Sequence, residues 1–141
     1  MKIRLVMLGK TRRNEFRSLV DDYLRRIERF SPVECVELRH EAALARIKAD
    51  PNAVWVLLDP AGRAFRSEEF AKWLGRLRDR GTREALFLCG DAQGFPASWL
   101  ARATERLSLG PMTLSHELAR VVLAEQLYRA FALLAGHPYP K

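Results

Sequence analysis

A chain of 141 residues, 48% of them apolar, can bury one core without disulfides or a structural metal and is too short for two comfortable domains. Lys and Arg outnumber Asp and Glu by 24 to 17, a net +7, and 19 of those bases are Arg, whose planar fork suits phosphate and base stacking. The charge therefore favours an anionic partner, RNA above all, while no apolar stretch approaches the ~20 residues of a membrane span and, with no export signal legible, a cytoplasmic protein is expected.

Residues 2–8, KIRLVML, read as a strand closed by Gly9. Over residues 13–30, Phe16, Leu19, Val20, Tyr23, Leu24 and Ile27 keep the three-and-four spacing of one helical face. Residues 33–38 alternate apolar and polar, the mark of a half-buried strand, and HEAALARIKAD after them reads as a short helix ended before Pro51. Residues 53–58, AVWVLL, are continuously apolar, as in a parallel strand covered on both faces, and Asp59-Pro60-Ala61-Gly62 follows as a turn. Ser67, ahead of Glu68 and Glu69, is expected to cap a helix running to about Arg80, with Gly81 as its stop.

EALFLC is a further strand, which ends in Gly90-Asp91-Ala92-Gln93-Gly94. A helix from about Pro96 to Arg106 and a short strand near 107–109 are expected next. Ser115 caps a helix over 116–135, ended by Gly136. Its apolar residues go most of the way round, so a second face is expected to meet another subunit. Cys35 and Cys89 both lie in apolar stretches and read as reduced core thiols.

Strand and helix alternate throughout, which makes the class α/β with a mostly parallel sheet. Ligands in such sheets gather beyond the carboxyl ends of strands, so three places compete: the ends at Leu58, at Cys89 and at Leu109. The glycine turn matches neither G-x-G-x-x-G nor the Walker pattern, so neither a dinucleotide nor a triphosphate is indicated, and a plain turn would explain it. In LSLGPMTLSH, residues 107–116, loop backbone groups could hold an adenine edge between Leu109, Met112 and Leu114; the bland reading is a strand-to-helix connection. His40, His116 and His137 have no metal-ligand spacing, so no metal is expected. Glu125 and Arg129, four apart on the last helix, are either a structural ion pair or part of a site. Tyr139 stands between two prolines that hold it extended, which suits base stacking as well as a frayed tail.

Together these residues are familiar. LSLGPMTLSHELARVVLAEQLYRAFALLAGHPY closely resembles the C-terminal part of the RlmH family, SPOUT-class ribosomal RNA methyltransferases that use S-adenosyl-L-methionine. MKIRLVMLGK, Tyr23-Leu24-Arg25-Arg26, VLLDPAG and FLCGDAQG fall in that family's order and spacing, so nearly the whole chain is covered. The resemblance implies one SPOUT domain over residues 1–141: an α/β knot, its mostly parallel sheet flanked by helices, with a C-terminal trefoil knot. It also implies a homodimer that methylates N3 of a pseudouridine in 23S rRNA on the assembled ribosome.

The cofactor site implied by the resemblance is built by three knot loops: Leu58, Gly90, and the run Leu109, Gly110, Pro111, Met112, Thr113, Leu114. Gly90 is expected to lie against the ligand. N3 of the target carries a proton that must leave, and Glu125, His116 and Tyr139 are the candidates to receive it. Arg120 and Arg129 are candidates to hold phosphate or the charge developing on the base. This chain departs from the family pattern at Asp91 and Gln93 in the glycine turn, at Pro140 where the tail usually has histidine, and by a shortening around residues 39–52. Two other readings stay open: a non-catalytic ribosome-binding factor of the same fold, and a SPOUT methyltransferase acting on tRNA, which the lack of an appended RNA-binding domain disfavours.

Overall fold

The computed structural model describes residues 1–139. In chain order it contains β1 (Lys2–Leu8), α1 (Asn14–Ile27), β2 (Val33–Leu38), a 3₁₀ turn over Glu41–Arg46, β3 (Val54–Ala64), α2 (Ser67–Asp79), β4 (Glu84–Cys89), α3 (Ala97–Leu100), β5 (Glu105–Ser108) and α4 (His116–Leu134). The five strands form one sheet in the order β2-β1-β4-β3-β5, and every pairing is parallel. All six residues of β4, EALFLC, are buried, as a parallel strand covered on both faces requires. On one face Ile3, Leu5, Met7 and Phe87 meet Ile27 of α1, Phe70 and Leu74 of α2, and Leu123 and Leu127 of α4. On the other, Val6, Leu86 and Leu88 meet Leu44 of the 3₁₀ turn and Trp99 of α3. No helix of the described residues is long and apolar enough to cross a membrane.

The alternation and the parallel sheet agree with the sequence, and several local expectations are corrected. The Asp59–Gly62 turn is absorbed into β3, which continues to Ala64 through a register shift between Leu58 and Arg63 opposite Leu107 of β5. Asp59, buried, accepts the Ala61 N–H at 2.9 Å and Arg106 at 3.2 Å, so its carboxylate organises a bulge. Gly62 permits it, because a Cβ there would lie 2.6 Å from the Arg106 backbone. The helix expected from Pro96 to Arg106 stops after four residues. Thr104 donates its N–H to the Trp55 carbonyl at 2.8 Å and accepts the Trp55 N–H on its hydroxyl at 3.1 Å, drawing the chain into the sheet as β5, which ends at Ser108.

The short helix after β2 is the 3₁₀ turn alone, and α1 ends at Ile27, short of residue 30. Ser67 is the first residue of α2 and not its cap: Glu69 accepts the Arg66 N–H at 2.8 Å, while the Ser67 hydroxyl donates to Gln126 of α4 at 2.7 Å. Cys89 is buried as expected, but Cys35 is exposed, since β2 is an edge strand. The second face of α4 is likewise covered within this chain, because α1 and α2 both pack on it. What remains uncovered is one narrow stripe: Leu118 and Leu133 are exposed, and Val122, Glu125 and Arg129 between them are half-buried. Ser115 caps α4 as expected, accepting the Leu118 N–H at 3.3 Å.

Candidate functional site

A cavity of about 690 Å³ lies beyond the carboxyl ends of β3, β4 and β5, within the usual range for small-molecule sites. Its walls come from the three places that the topology singles out. Leu58, Asp59 and Pro60 leave β3; Cys89 and the turn Gly90–Phe95 leave β4; Leu107, Leu109, Gly110, Met112, Thr113 and Leu114 follow β5. Ser115, His116 and Ala119, at the start of α4, complete it. Of the residues proposed to bind a cofactor, Leu58, Gly90, Leu109, Gly110, Met112, Thr113 and Leu114 line this space; Pro111 does not.

The turn after β4 folds on itself. Asp91 and Gly94 exchange two backbone hydrogen bonds, 3.0 and 2.9 Å, and an Asp91 carboxylate oxygen accepts the Gln93 N–H at 2.9 Å. Gly94 takes φ +93°, which the tight return needs. A Cβ on Gly90 would lie 2.4 Å from the carbonyl carbon and oxygen of Gly94. Gly90 is therefore required by the returning strand of its own turn. The expectation that its missing side chain leaves room for the ligand is corrected: the contact is with Gly94, although Gly90 still borders the cavity.

The loop after β5 offers different chemistry. The Ser108 hydroxyl accepts the Gly110 N–H at 3.1 Å and donates to its carbonyl at 3.2 Å, and Gly110 sits at φ +130°. The N–H groups of Met112, Thr113 and Leu114 donate to no group among the described residues. Open backbone donors beside leucine walls fit a flat, polar-edged ring such as adenine. Cys89 contributes a neutral wall, because burial pushes its thiol up to about 12, which the nearby Arg120 only partly offsets.

The three residues proposed to receive the proton, Glu125, His116 and Tyr139, do not converge, and Arg129, proposed to hold charge, lies with Glu125. His116 lines the cavity, with its Nε2 3.8 Å from the Glu117 carboxylate. Glu125 lies nine residues further along α4, so about 13 Å along the axis and half a turn round, on the opposite side of the helix. There it accepts Arg129 at 3.0 and 3.2 Å, the Tyr139 hydroxyl at 2.8 Å and Gln126 at 2.7 Å. Burial and the Tyr23 and Glu125 partners hold the Tyr139 phenol well above its ordinary value, so it keeps its proton and donates a hydrogen bond to Glu125. Pro140 lies outside the described residues.

Arg120 departs furthest from expectation. It is fully buried, donating to the Leu8 carbonyl at 2.7 Å and to the Thr11 hydroxyl at 2.9 Å, and cannot bind external phosphate. One turn earlier, buried Glu117 accepts the N–H groups of Arg13 and Arg12 at 3.0 and 3.1 Å, and these bonds hold its carboxyl below the ordinary range. Glu37 of β2 accepts the Thr11 N–H at 2.6 Å. Residues 9–13, after β1, are thus fastened to the helix that forms one end of the cavity. The spacing of Glu117 and Arg120 on a mostly apolar helix was the available sign of this role.

Comparison with known proteins agrees with the fold. The model of a family described as predicted SPOUT methyltransferases matches residues 1–140. The ribosomal RNA large subunit methyltransferase H of Koribacter versatilis is 44% identical over 142 residues, covering 99% of this chain and 97% of the relative. The protein of the same name from Solibacter usitatus is 42% identical over 139 residues, covering 99% of both. Among solved structures, a probable methylase family protein from Haemophilus influenzae superposes with a TM-score of 0.59 at 10% identity, over 99% of this chain and 72% of that one. A putative methyltransferase from Legionella pneumophila, solved with bound SAM, gives 0.55 at 14% identity, over 92% of this chain and 66% of that one. At such identities the likeness is one of fold.

Proposed function

The chain belongs to the SPOUT methyltransferase family, and from that premise we propose that it methylates N3 of a pseudouridine in 23S rRNA on the assembled ribosome, as a cytoplasmic homodimer using S-adenosyl-L-methionine. The observation that carries the reading is the cavity: three loops at the carboxyl ends of adjacent parallel strands, apolar walls, and unpaired backbone donors at Met112–Leu114. Such a site accepts an adenosine and needs no phosphate cradle, in keeping with the mismatch of Gly90–Gly94 to phosphate-binding patterns. The family's C-terminal trefoil knot and the extent of the domain, residues 1–141, belong to the same reading.

The cofactor supplies an already activated methyl group, so the protein's task is alignment, which can be worth ~7–11 kcal/mol. Half-buried Leu58, Leu109 and Leu114 wall the space, while the loop after β5 offers its N–H groups. His116, in the cavity wall, is placed to take or relay the N3 proton. Glu125, Arg129 and Tyr139 are too far round α4 to reach the same cavity. Glu125 and Arg129 lie on the uncovered stripe of that helix, flanked by exposed Leu118 and Leu133, with Tyr139 bonded to Glu125 from beyond its end. A partner docked on that stripe would bring the cluster to a site the single chain leaves open, so the four residues act across two subunits.

The test is methyl transfer from labelled S-adenosylmethionine to ribosomes lacking the modification. Incorporation at one uridine-derived position in 23S rRNA is expected. Tight ribosome binding without cofactor binding or transfer would replace this reading with that of a non-catalytic ribosome-binding factor, and transfer to tRNA alone would replace it with a tRNA enzyme.

A further inference from the structure

The cavity occupies only part of the sheet's carboxyl edge. In the order β2-β1-β4-β3-β5, it spans β4, β3 and β5; the ends of β1 and β2 lie to one side of it. Those ends carry exposed Lys10, Arg12 and Arg13 after β1, and exposed Arg39 and His40 after β2. Between the two halves stands the Asp91–Phe95 turn. One side of it faces the cavity; the other faces a second depression of about 530 Å³ that includes Arg39 and His40.

Two further observations set this basic edge apart from ordinary surface charge. Glu15 pairs with Arg13 of the edge at 3.5 Å, and the other acidic neighbours are engaged elsewhere: Glu37 with Thr11 and Arg17, Glu41 with Ser98 at 2.7 Å, and Asp91 with its own turn. The side chains of Lys10, Arg12 and Arg39, in contrast, have no partner among the described residues. The loop that presents Lys10 and Arg12 is also held in place: buried Glu117 accepts its Arg12 and Arg13 N–H groups, and buried Arg120 bonds the Thr11 hydroxyl and the Leu8 carbonyl at the end of β1. Surface arginines with no function have no need of a backbone pinned by two buried charges.

We propose that the carboxyl edge over β1 and β2 is the RNA-backbone contact of this protein, with Lys10, Arg12 and Arg39 holding phosphates beside the nucleotide whose base enters the neighbouring cavity. The proposal rests on the reading of the substrate as rRNA and adds the surface that receives it. Because Glu117 and Arg120 share α4 with His116 and Ala119 of the cavity wall, the phosphates and the reacting base are registered by one rigid element. Contacts of this kind position the strand and carry no sequence information.

The experiment compares the wild type with Lys10→Ala/Arg12→Ala/Arg39→Ala and with a control of equal charge loss, Arg76→Ala/Arg80→Ala/Arg83→Ala, at the other end of the strands. Affinity for unmodified ribosomes is measured over a series of salt concentrations, and S-adenosylmethionine affinity by calorimetry. The proposal expects the slope of log affinity against log salt to become shallower by about 2 in the first variant, at ~0.7 per lost phosphate contact. Cofactor affinity is expected to be unchanged, and the control slope to stay at the wild-type value. An unchanged slope in the first variant, or an equal loss in both, overturns it. If the wild type binds no ribosomes, the functional reading falls and this inference with it; wild-type binding without methyl transfer removes the enzyme reading and leaves the contact surface tested.

Discussion

Arg120 and Leu8 are 112 residues apart in sequence, yet the Arg120 guanidinium donates to the Leu8 carbonyl at 2.7 Å with no solvent exposure. Its other terminal nitrogen holds Thr11, so the charge binds the end of β1 to the first turns of α4. Arg120→Ala leaves two buried neutral acceptors without a donor and should cost about 1–3 kcal/mol for each, read as a lower urea midpoint. Full stability with weakened RNA binding would instead return Arg120 to the role of a phosphate ligand.

Glu117 gives this connection a pH dependence. Its carboxyl is held below the ordinary range first by the Arg13 N–H, then by that of Arg12, against the opposing effect of burial. A depressed carboxylate contributes stability that is present above its unfolded value and is lost as pH falls through the folded one. Urea midpoints should therefore drop between about pH 5 and pH 3, and Glu117→Gln should show a smaller drop over the same window. Identical acid sensitivity in the two proteins would count against the assignment.

Gly90→Ala places a Cβ 2.4 Å from Gly94 and must displace the turn that walls the cavity. Overpacking of this kind costs about 1–3 kcal/mol. Melting temperature and S-adenosylmethionine affinity should fall together. A variant that folds normally and binds the cofactor as the wild type does would remove the turn from the site.

Asp91 makes its hydrogen bond through one carboxylate oxygen to the Gln93 N–H, and an asparagine oxygen can accept the same bond. Asp91→Asn should leave cofactor affinity within about twofold, whereas Asp91→Ala should weaken it several-fold, near 1 kcal/mol. A large loss in the asparagine variant would mean that the negative charge itself contacts the ligand.

Leu118→Glu/Leu133→Glu puts two charges on the uncovered stripe of α4 without entering the core. Light scattering should report a monomer that still binds S-adenosylmethionine and transfers no methyl group. An active monomer would exclude a site shared between subunits.

The sheet and most element positions could be read from periodicity because residues 85–89 of β4 and the start of β3 are unbroken apolar runs and α1 has a clean apolar stripe. Non-local bonds hid the rest. Thr104 ends α3 early by pairing with Trp55, and Arg106 draws the Asp59–Gly62 segment into β3; neither partner is near in sequence. At the site, strand ends sufficed to locate the cavity. The role of Arg120 does not follow from the sequence, because a lone arginine on a mostly apolar helix reads alike whether it faces water or a buried carbonyl 112 residues away.

The bonds between the β1 end and α4 also impose an order in time. The first strand to be made is completed by the last helix, so the loop carrying Lys10 and Arg12 has only its bonds to β2 and α1, and the Arg12 and Arg13 N–H groups stay unpaired, until residues 117–120 have been synthesised and have docked. Contacts of that sequence separation close slowly. A nascent or truncated chain lacking α4 can form parts of the sheet but neither the basic edge nor the end of the cavity formed by α4, which ties the protein's competence to the completion of its own synthesis.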